Sequence, residues 1–191
     1  MNEQTRKSRR PRKATPKFIE NAALAYLGRF ATSGENLRRV LMRKVERSAR
    51  AHGSDRAEGA AIVDALIGRF THSGLLDDLT YAEGRALSMH RRGASARAIR
   101  LKLRQKGVAD ELVEDAVAGL ARESPEPELA AALRLAERRR LGPYRAAAAR
   151  PAMREKDLAA LARAGFSHDT ARRIIEAEST AVLAAEIIDR L

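Results

Sequence analysis

Cysteine is absent from the 191 residues, so neither a disulfide framework nor thiolate chemistry is available. That fits a reducing compartment. Tryptophan is also absent, and aromatics reach only 4%. Hydrophobic content is ordinary at 45%, but much of it is alanine. Such a composition favours many slim helices over one bulky core, each burying little area and each marginally stable alone. No apolar run reaches the ~18 residues a membrane-spanning helix needs. The basic N-terminus lacks the apolar stretch of a secretory signal. Nothing alternates with period two, so no strand pattern competes with helix. These absences predict a soluble, intracellular, all-helical protein.

Acid is in short supply as well. Lys and Arg number 37 against 25 Asp and Glu, a formal net charge of +12. This balance favours a polyanion or an acidic protein as partner, with general solubility as the plain alternative. Half of the excess sits in residues 1–17, which hold seven Lys or Arg and one Glu. Pro11 and Pro16 interrupt that stretch and almost nothing apolar is there to bury. It reads as a disordered basic tail, either an electrostatic arm for nucleic acid or a solvated extension.

The rest of the chain falls into helical syllables. Ile19, Ala23, Tyr26, Leu27 and Phe30 recur at helical spacing after Pro16. Ser33 is placed as a cap before a helix with Leu37, Leu41 and Val45 on one face. His52-Gly53-Ser54-Asp55 breaks the chain, and Ile62, Val63, Leu66, Ile67 and Phe70 mark a third helix ending at Ser73-Gly74. The syllable then returns. Asp77 and Asp78 open a helix that stops at Arg92-Gly93, and Ser95 caps one with Ile99 and Leu103 inward. Asp110 opens a third, closed by Ser124-Pro125. A looser copy follows, with a connector over 142–151, a helix ending at Gly165-Phe166 and a last helix capped at Ser167. Ala181 to Leu191 extends that helix or adds a short one. The repeat is about 60 residues, which suits three helices per unit.

The expectation is therefore an all-α tandem array of three three-helix repeats, elongated and curved, behind the tail. Its units are 18–75, 76–124 and 125–191, the last degenerate. Unit one departs from the others: it has Val45 where they have glycine, and a longer stretch before its next break.

Chemistry is sparse. Asp77 and Asp78 invite a metal or acid–base reading, but no Glu or His completes a ligand set, and Asp in a first helical turn has a structural reason already. His52, His72, His90 and His168 are scattered. No metal site, cofactor or catalytic group is expected. Leu75, Leu76 and Tyr81, beside the Asp pair, are expected to pack the junction between units one and two.

Binding has more support. From His90 to Val108 there are seven Lys or Arg and no acid. At ~100° per residue, Arg97, Arg100 and Arg104 form a stripe away from Ile99 and Leu103, with Lys102 and Lys106 flanking. The matching helix of unit one carries Arg38, Arg39 and Arg43. These residues are the candidate contacts for phosphate or an acidic partner. The competing reading is a solvated face neutralised by the acidic segment from Asp110 to Asp115. Arg138-Arg139-Arg140 is a third basic cluster.

The junction and basic helix together resemble the RecX family, regulators of RecA recombinase. The resemblance lies in Gly74, Leu76, Asp77, Asp78, Tyr81 and Ala82, then Arg92 and Gly93. It continues through Arg97, Ile99, Leu103, Lys106, Gly107 and Val108, and returns in Ala164-Gly165-Phe166-Ser167. It covers about residues 20 to 180, most specifically in the central block. Where the family usually has Gly-Pro after the Arg-Gly turn, this chain has Ala94-Ser95-Ala96. The resemblance implies a cytoplasmic, non-enzymatic protein that docks into the groove of the RecA–single-stranded DNA filament. It implies damped recombinase, ATPase and co-protease activity, and so a role in recombination and the SOS response. A stand-alone helical DNA- or RNA-binding protein is the alternative that charge alone allows. Single-stranded DNA, and double-stranded DNA as a second target, are the expected nucleic-acid partners, and a monomer the expected state.

Overall fold

The computed structural model describes residues 11–183. Nine α-helices lie among them, with no strand. They are α1 (Pro16–Leu27), α2 (Gly34–His52), α3 (Arg56–His72), α4 (Asp78–His90), α5 (Ala96–Gln105), α6 (Asp110–Ala118), α7 (Pro127–Arg139), α8 (Arg150–Arg163) and α9 (His168–Ile175). The all-α class read from the sequence is the class found. No helix among the described residues is long and apolar enough to cross a membrane.

Each run of three helices closes its own apolar cluster. In α1–α3 it gathers Ile19, Leu37, Leu41, Val63, Phe70 and Leu76. In α4–α6 it gathers Ala82, Ala86, Ile99, Leu103, Val113 and Leu120. In α7–α9 it gathers Leu129, Leu135, Leu161, Phe166, Ile174 and Leu183. By compactness the chain divides after Asp78, so the second and third clusters share one unit.

The serines placed as caps are caps. Ser33, Ser95 and Ser167 accept hydrogen bonds from the backbone N–H groups of Asn36, Ala98 and Thr170. The departure of unit one also has a structural form: α2 runs for 19 residues where α5 has 10. With Val45 in place of a turn glycine, α2 continues until Gly53, which takes φ +64.

In the first unit, α2 and α3 approach closely because α3 carries Gly59. A Cβ there would stand 2.4 Å from Val45 Cγ1. In the second unit, α7 lies directly on the turn after α4. Gly93 has φ +79, and a Cβ on it would meet the Leu135 nitrogen at 2.8 Å and the Ala131 oxygen at 2.9 Å. The Arg92-Gly93 turn is thus required both by its backbone conformation and by the helix resting on it.

Residues 11–17, expected to belong to a disordered basic tail, are ordered. Residues 1–10 lie outside the described residues. From Pro11 onward the chain is held: Ala14 N–H donates to Ser48 Oγ at 2.8 Å, and His52 Nε2 donates to the Pro11 carbonyl at 2.7 Å. Pro16 and Lys17 already belong to α1, capped by Thr15. Ser48, buried on α2 one turn beyond Val45, anchors this strap. At the other end, residues 180–183 turn helical, and the remainder of the expected C-terminal extension lies outside the described residues.

The 142–151 connector is built, not loose. Asp157, 2% exposed, accepts from Gly142 N–H at 2.9 Å and from Arg145 at 2.8 and 3.2 Å. Arg150 closes it further, donating to the carbonyls of Pro143, Arg145 and Glu178. A buried charge needs such a partner set.

Candidate functional site

The α5 helix is the central candidate. Ser95 caps it, and Ile99 and Leu103 face inward, fully buried. It ends where Gly107 takes φ +76 and Val108 N–H returns to the Leu103 carbonyl at 3.2 Å. Its N-terminus is also tied to the next three helices. Ser95 Oγ donates to the Ala164 carbonyl at 2.7 Å, and Ala96 N–H donates to Glu128 at 3.0 Å. A Cβ on Gly165 would stand 2.7 Å from Ser95 Oγ. The Ala-Gly-Phe-Ser turn is therefore a seat for the start of α5, a role that its own local sequence does not reveal.

The arginine stripe is real but not uniform. Arg100 makes a two-pronged pair with Glu114, at 2.8 and 3.0 Å. Arg104 reaches Asp110 at 2.7 Å and Glu114 at 3.3 Å. Here the neutralised-face reading holds: α6 takes up these two charges. Arg97 is exposed and forms no ion pair with a described residue. Lys102 and Lys106 are half-buried at the flanks. Helical geometry puts Leu101 directly opposite the Ile99–Leu103 side, between Arg97 and Arg104. It is 58% exposed, more than any other large hydrophobic described. The sequence reading singled out the charges on this helix and missed the leucine among them.

On α2, the outer arginines are likewise divided. Arg38 pairs with Asp64 at 2.6 Å and Arg39 with Glu35 at 3.0 Å. The Arg38 hydrogen bond holds the Asp64 carboxyl below its ordinary range. Glu46 serves Arg56 at 2.8 Å and, more distantly, Arg50. Arg43 and Arg47 are exposed and have no carboxylate partner among the described residues; Arg47 instead donates to the Arg43 carbonyl at 3.2 Å. They line a shallow depression with Arg39, Met42, Glu46 and Arg50. Of the third cluster, Arg138 donates to the Arg92 carbonyl at 2.6 Å, fastening α7 to the turn after α4.

At the junction, Asp78 does something other than open its own helix. Its Oδ1 accepts Gly34 N–H at 2.8 Å, satisfying the first turn of α2. Glu128 does the same for Ala96 at the start of α5. Leu76 is buried in the first cluster, and Tyr81 packs half-buried on the second. Leu75, expected to pack, is instead 50% exposed.

Two further structural residues escaped the sequence reading. His90 is 2% exposed, donates from Nε2 to the Pro127 carbonyl at 2.7 Å, and receives Arg134 at Nδ1 at 3.3 Å. Asp157 is the other. The legible signal was register: His90 continues the 82-86-90 buried side of α4, and Asp157 lies four residues before Leu161.

This architecture has known counterparts. Residues 77–117 match the family model for RecX, second three-helix domain. A regulatory protein RecX from Myxococcus xanthus is 46% identical over 88% of this chain and 89% of its own length. A second, from Agrobacterium fabrum, is 34% identical over 83% of this chain and 82% of its own. The crystal structure of RecX from Lactobacillus salivarius superposes with a TM-score of 0.58 at 24% identity. It covers 84% of this chain and 94% of the other, a likeness in fold. Carried by relatives that span most of both chains, the conclusion is that this chain belongs to the RecX family of regulatory proteins.

Proposed function

We propose that the protein is a non-enzymatic modulator of RecA that binds in the groove of the RecA–single-stranded DNA filament and dampens its recombinase, ATPase and co-protease activity. The observation that carries this reading is the 46% identity, over nearly the whole chain, to a regulatory protein RecX. It acts in the cytoplasm as a monomer, within recombination and the SOS response, and needs no cofactor.

The contact assigned here to the filament is the outer face of α5, with Arg97 and Leu101 at its centre. An exposed leucine between cations suits an acidic protein surface with an apolar dimple better than bare phosphate. Arg100 and Arg104 support the face while paired to Glu114 and Asp110. Those pairs are solvent-exposed, so exchanging them for a partner's carboxylates costs little. Lys102, Lys106 and the α2 residues Arg38, Arg39 and Arg43 add longer-range attraction.

The test is RecA ATPase on single-stranded DNA with the full chain added. Inhibition is expected near a stoichiometric ratio; its absence would sink the proposal. The double change Arg97→Glu and Leu101→Ser is expected to weaken inhibition at least tenfold, the scale of one interface hot spot. Reversing Arg100 or Arg104 is the poorer probe, because a glutamate there would face Glu114 or Asp110 and loosen α5 from α6. The alternative, a stand-alone nucleic-acid binder, is supported by Arg43 and Arg47, which lack carboxylate partners among the described residues. It predicts tight binding to bare DNA with no effect on RecA.

A further inference from the structure

Most basic clusters of this chain are partly spent on their own carboxylates. One is not. Between the strap at residues 11–15, the first turns of α1 and the side of α2 lies an open cleft lined by Arg12, Lys13, Lys17 and Lys44, with Phe18 and Asn21. Among the described residues, no carboxylate lines it. Lys44 Nζ sits 6.0 Å from the Phe18 ring centroid, which holds its ammonium over the apolar wall of the cleft.

The cations are positioned before any ligand arrives. Ala14, between the strap cations and α1, is fastened to the buried Ser48 at 2.8 Å. Ser48 is braced by Ser54 at 3.2 Å, and Pro11 is held by His52. Thr15 N–H turns back to the Lys13 carbonyl at 2.9 Å. A strap ordered in advance avoids the entropy loss that a free basic tail incurs on binding. Four like charges converge on one notch with no counter-charge from a described residue lining it, an arrangement that an incoming anion relieves.

We infer that this cleft is a direct binding subsite for single-stranded nucleic acid, seating two or three consecutive phosphates on Arg12, Lys13, Lys17 and Lys44 beside the Phe18 wall. The class of ligand follows from the mixture. Phosphate oxygens satisfy the cations, while an aromatic wall and the Asn21 amide suit a sugar or an unstacked base, available in a single strand and not in a duplex. The subsite is separate from the α5 face and needs no RecA. Its failure therefore leaves the RecA reading standing, and the reverse holds too.

The experiment is fluorescence anisotropy with labelled 20-mer oligothymidylate and the full chain, across a salt series, without RecA. The variant is Lys13→Ala, Lys17→Ala and Lys44→Ala together; the control removes three exposed cations elsewhere, Arg122→Ala, Lys156→Ala and Arg163→Ala. The cleft variant is expected to weaken binding on the order of tenfold or more, and to flatten the log–log salt slope by about 2, from ~0.7 per lost phosphate contact. The control is expected to change the slope by well under 1. Equal losses in variant and control would reduce the effect to net charge and overturn the inference. So would an unchanged slope in the cleft variant, or an equal loss on a 20-base-pair duplex. Circular dichroism checks that each variant keeps its helical signal, which alanines at exposed or half-buried helix and strap positions are expected to preserve.

Discussion

Single carboxylates in this protein do work at a distance from where they sit in the chain. Asp78 and Glu128 each satisfy the first N–H of a helix 44 and 32 residues earlier. Asp157 organises a whole connector from inside α8. Asp64 is the exposed counterpart, clasped by Arg38 through two hydrogen bonds. That clasp is the main cause of the lowered Asp64 carboxyl; burial opposes it, and a lesser attraction to the same guanidinium adds to it. A depressed folded-state value contributes stability that is present above the ordinary carboxylate range and is lost as pH falls through the lowered value. The contribution should therefore fade only below about pH 4. Carbon-detected NMR titration is expected to find the Asp64 midpoint below the ordinary aspartate value, and Arg38→Gln to raise it toward that value. Because both groups are exposed, the stability change should be slight. An Asp64 that titrates at the ordinary value in the native chain would show that the clasp is not held in solution.

Helices here are specified by short local signals and then tuned by what rests on them. The cap serines, the apolar pairs four apart and the positive-φ glycines at Gly53, Gly74, Gly107 and Gly165 all speak locally. Two helix-interior glycines show how far local rules reach. Gly84 in α4 has open space around a would-be Cβ, whereas Gly59 in α3 is pressed against Val45. Gly84→Ala is expected to stabilise by about 0.5–1 kcal/mol through backbone entropy alone. Gly59→Ala, equally favoured by propensity, is expected to destabilise by about 1–3 kcal/mol, because valine cannot bend aside. Urea denaturation of the two variants checks both signs at once. By propensity alone the sequence marked Gly84 and Gly59 as equal weak points in their helices. It had no means of seeing that Gly59 is needed, since the other half of that contact lies on α2.

At the scale of the molecule, the +12 charge is distributed unevenly in availability. On α5 and α2 much of it is met by Glu114, Asp110, Asp64 and Glu35. Where it is not met, at Arg97, at Arg43 and Arg47, and in the cleft around Lys44, the charge is available to a partner. A protein with two such classes of surface should respond to salt in two ways. The proposed affinity for bare single-stranded DNA would rest on phosphate contacts and should fall steeply between 50 and 200 mM salt. The proposed association with RecA filaments, with Leu101 as a proposed contact, should fall less steeply. Co-sedimentation with filaments, set beside anisotropy on naked DNA over that range, is the comparison. Parallel salt slopes would mean that the filament is recognised only through its DNA.

Fold class and family were legible in the chain itself. Alanine-rich periodicity, caps and turn glycines are set by interactions within four residues, so the helices follow from the sequence directly. The Gly74–Ala82 junction and the Arg97–Val108 helix likewise pointed to the family before any coordinate did. Which charges are spent and which are free was decided only in three dimensions. Arg100 and Arg104 read like Arg97 until α6 brings Glu114 and Asp110 against them. The basic tail read as disordered until Ser48 and His52 fastened its last residues. Leu75 read as packing the junction and Leu101 drew no notice; both are half or more exposed. The reason is common to all of these. Charge pairing and burial depend on atoms distant in the chain, and a helix's own sequence states its shape but not its neighbours.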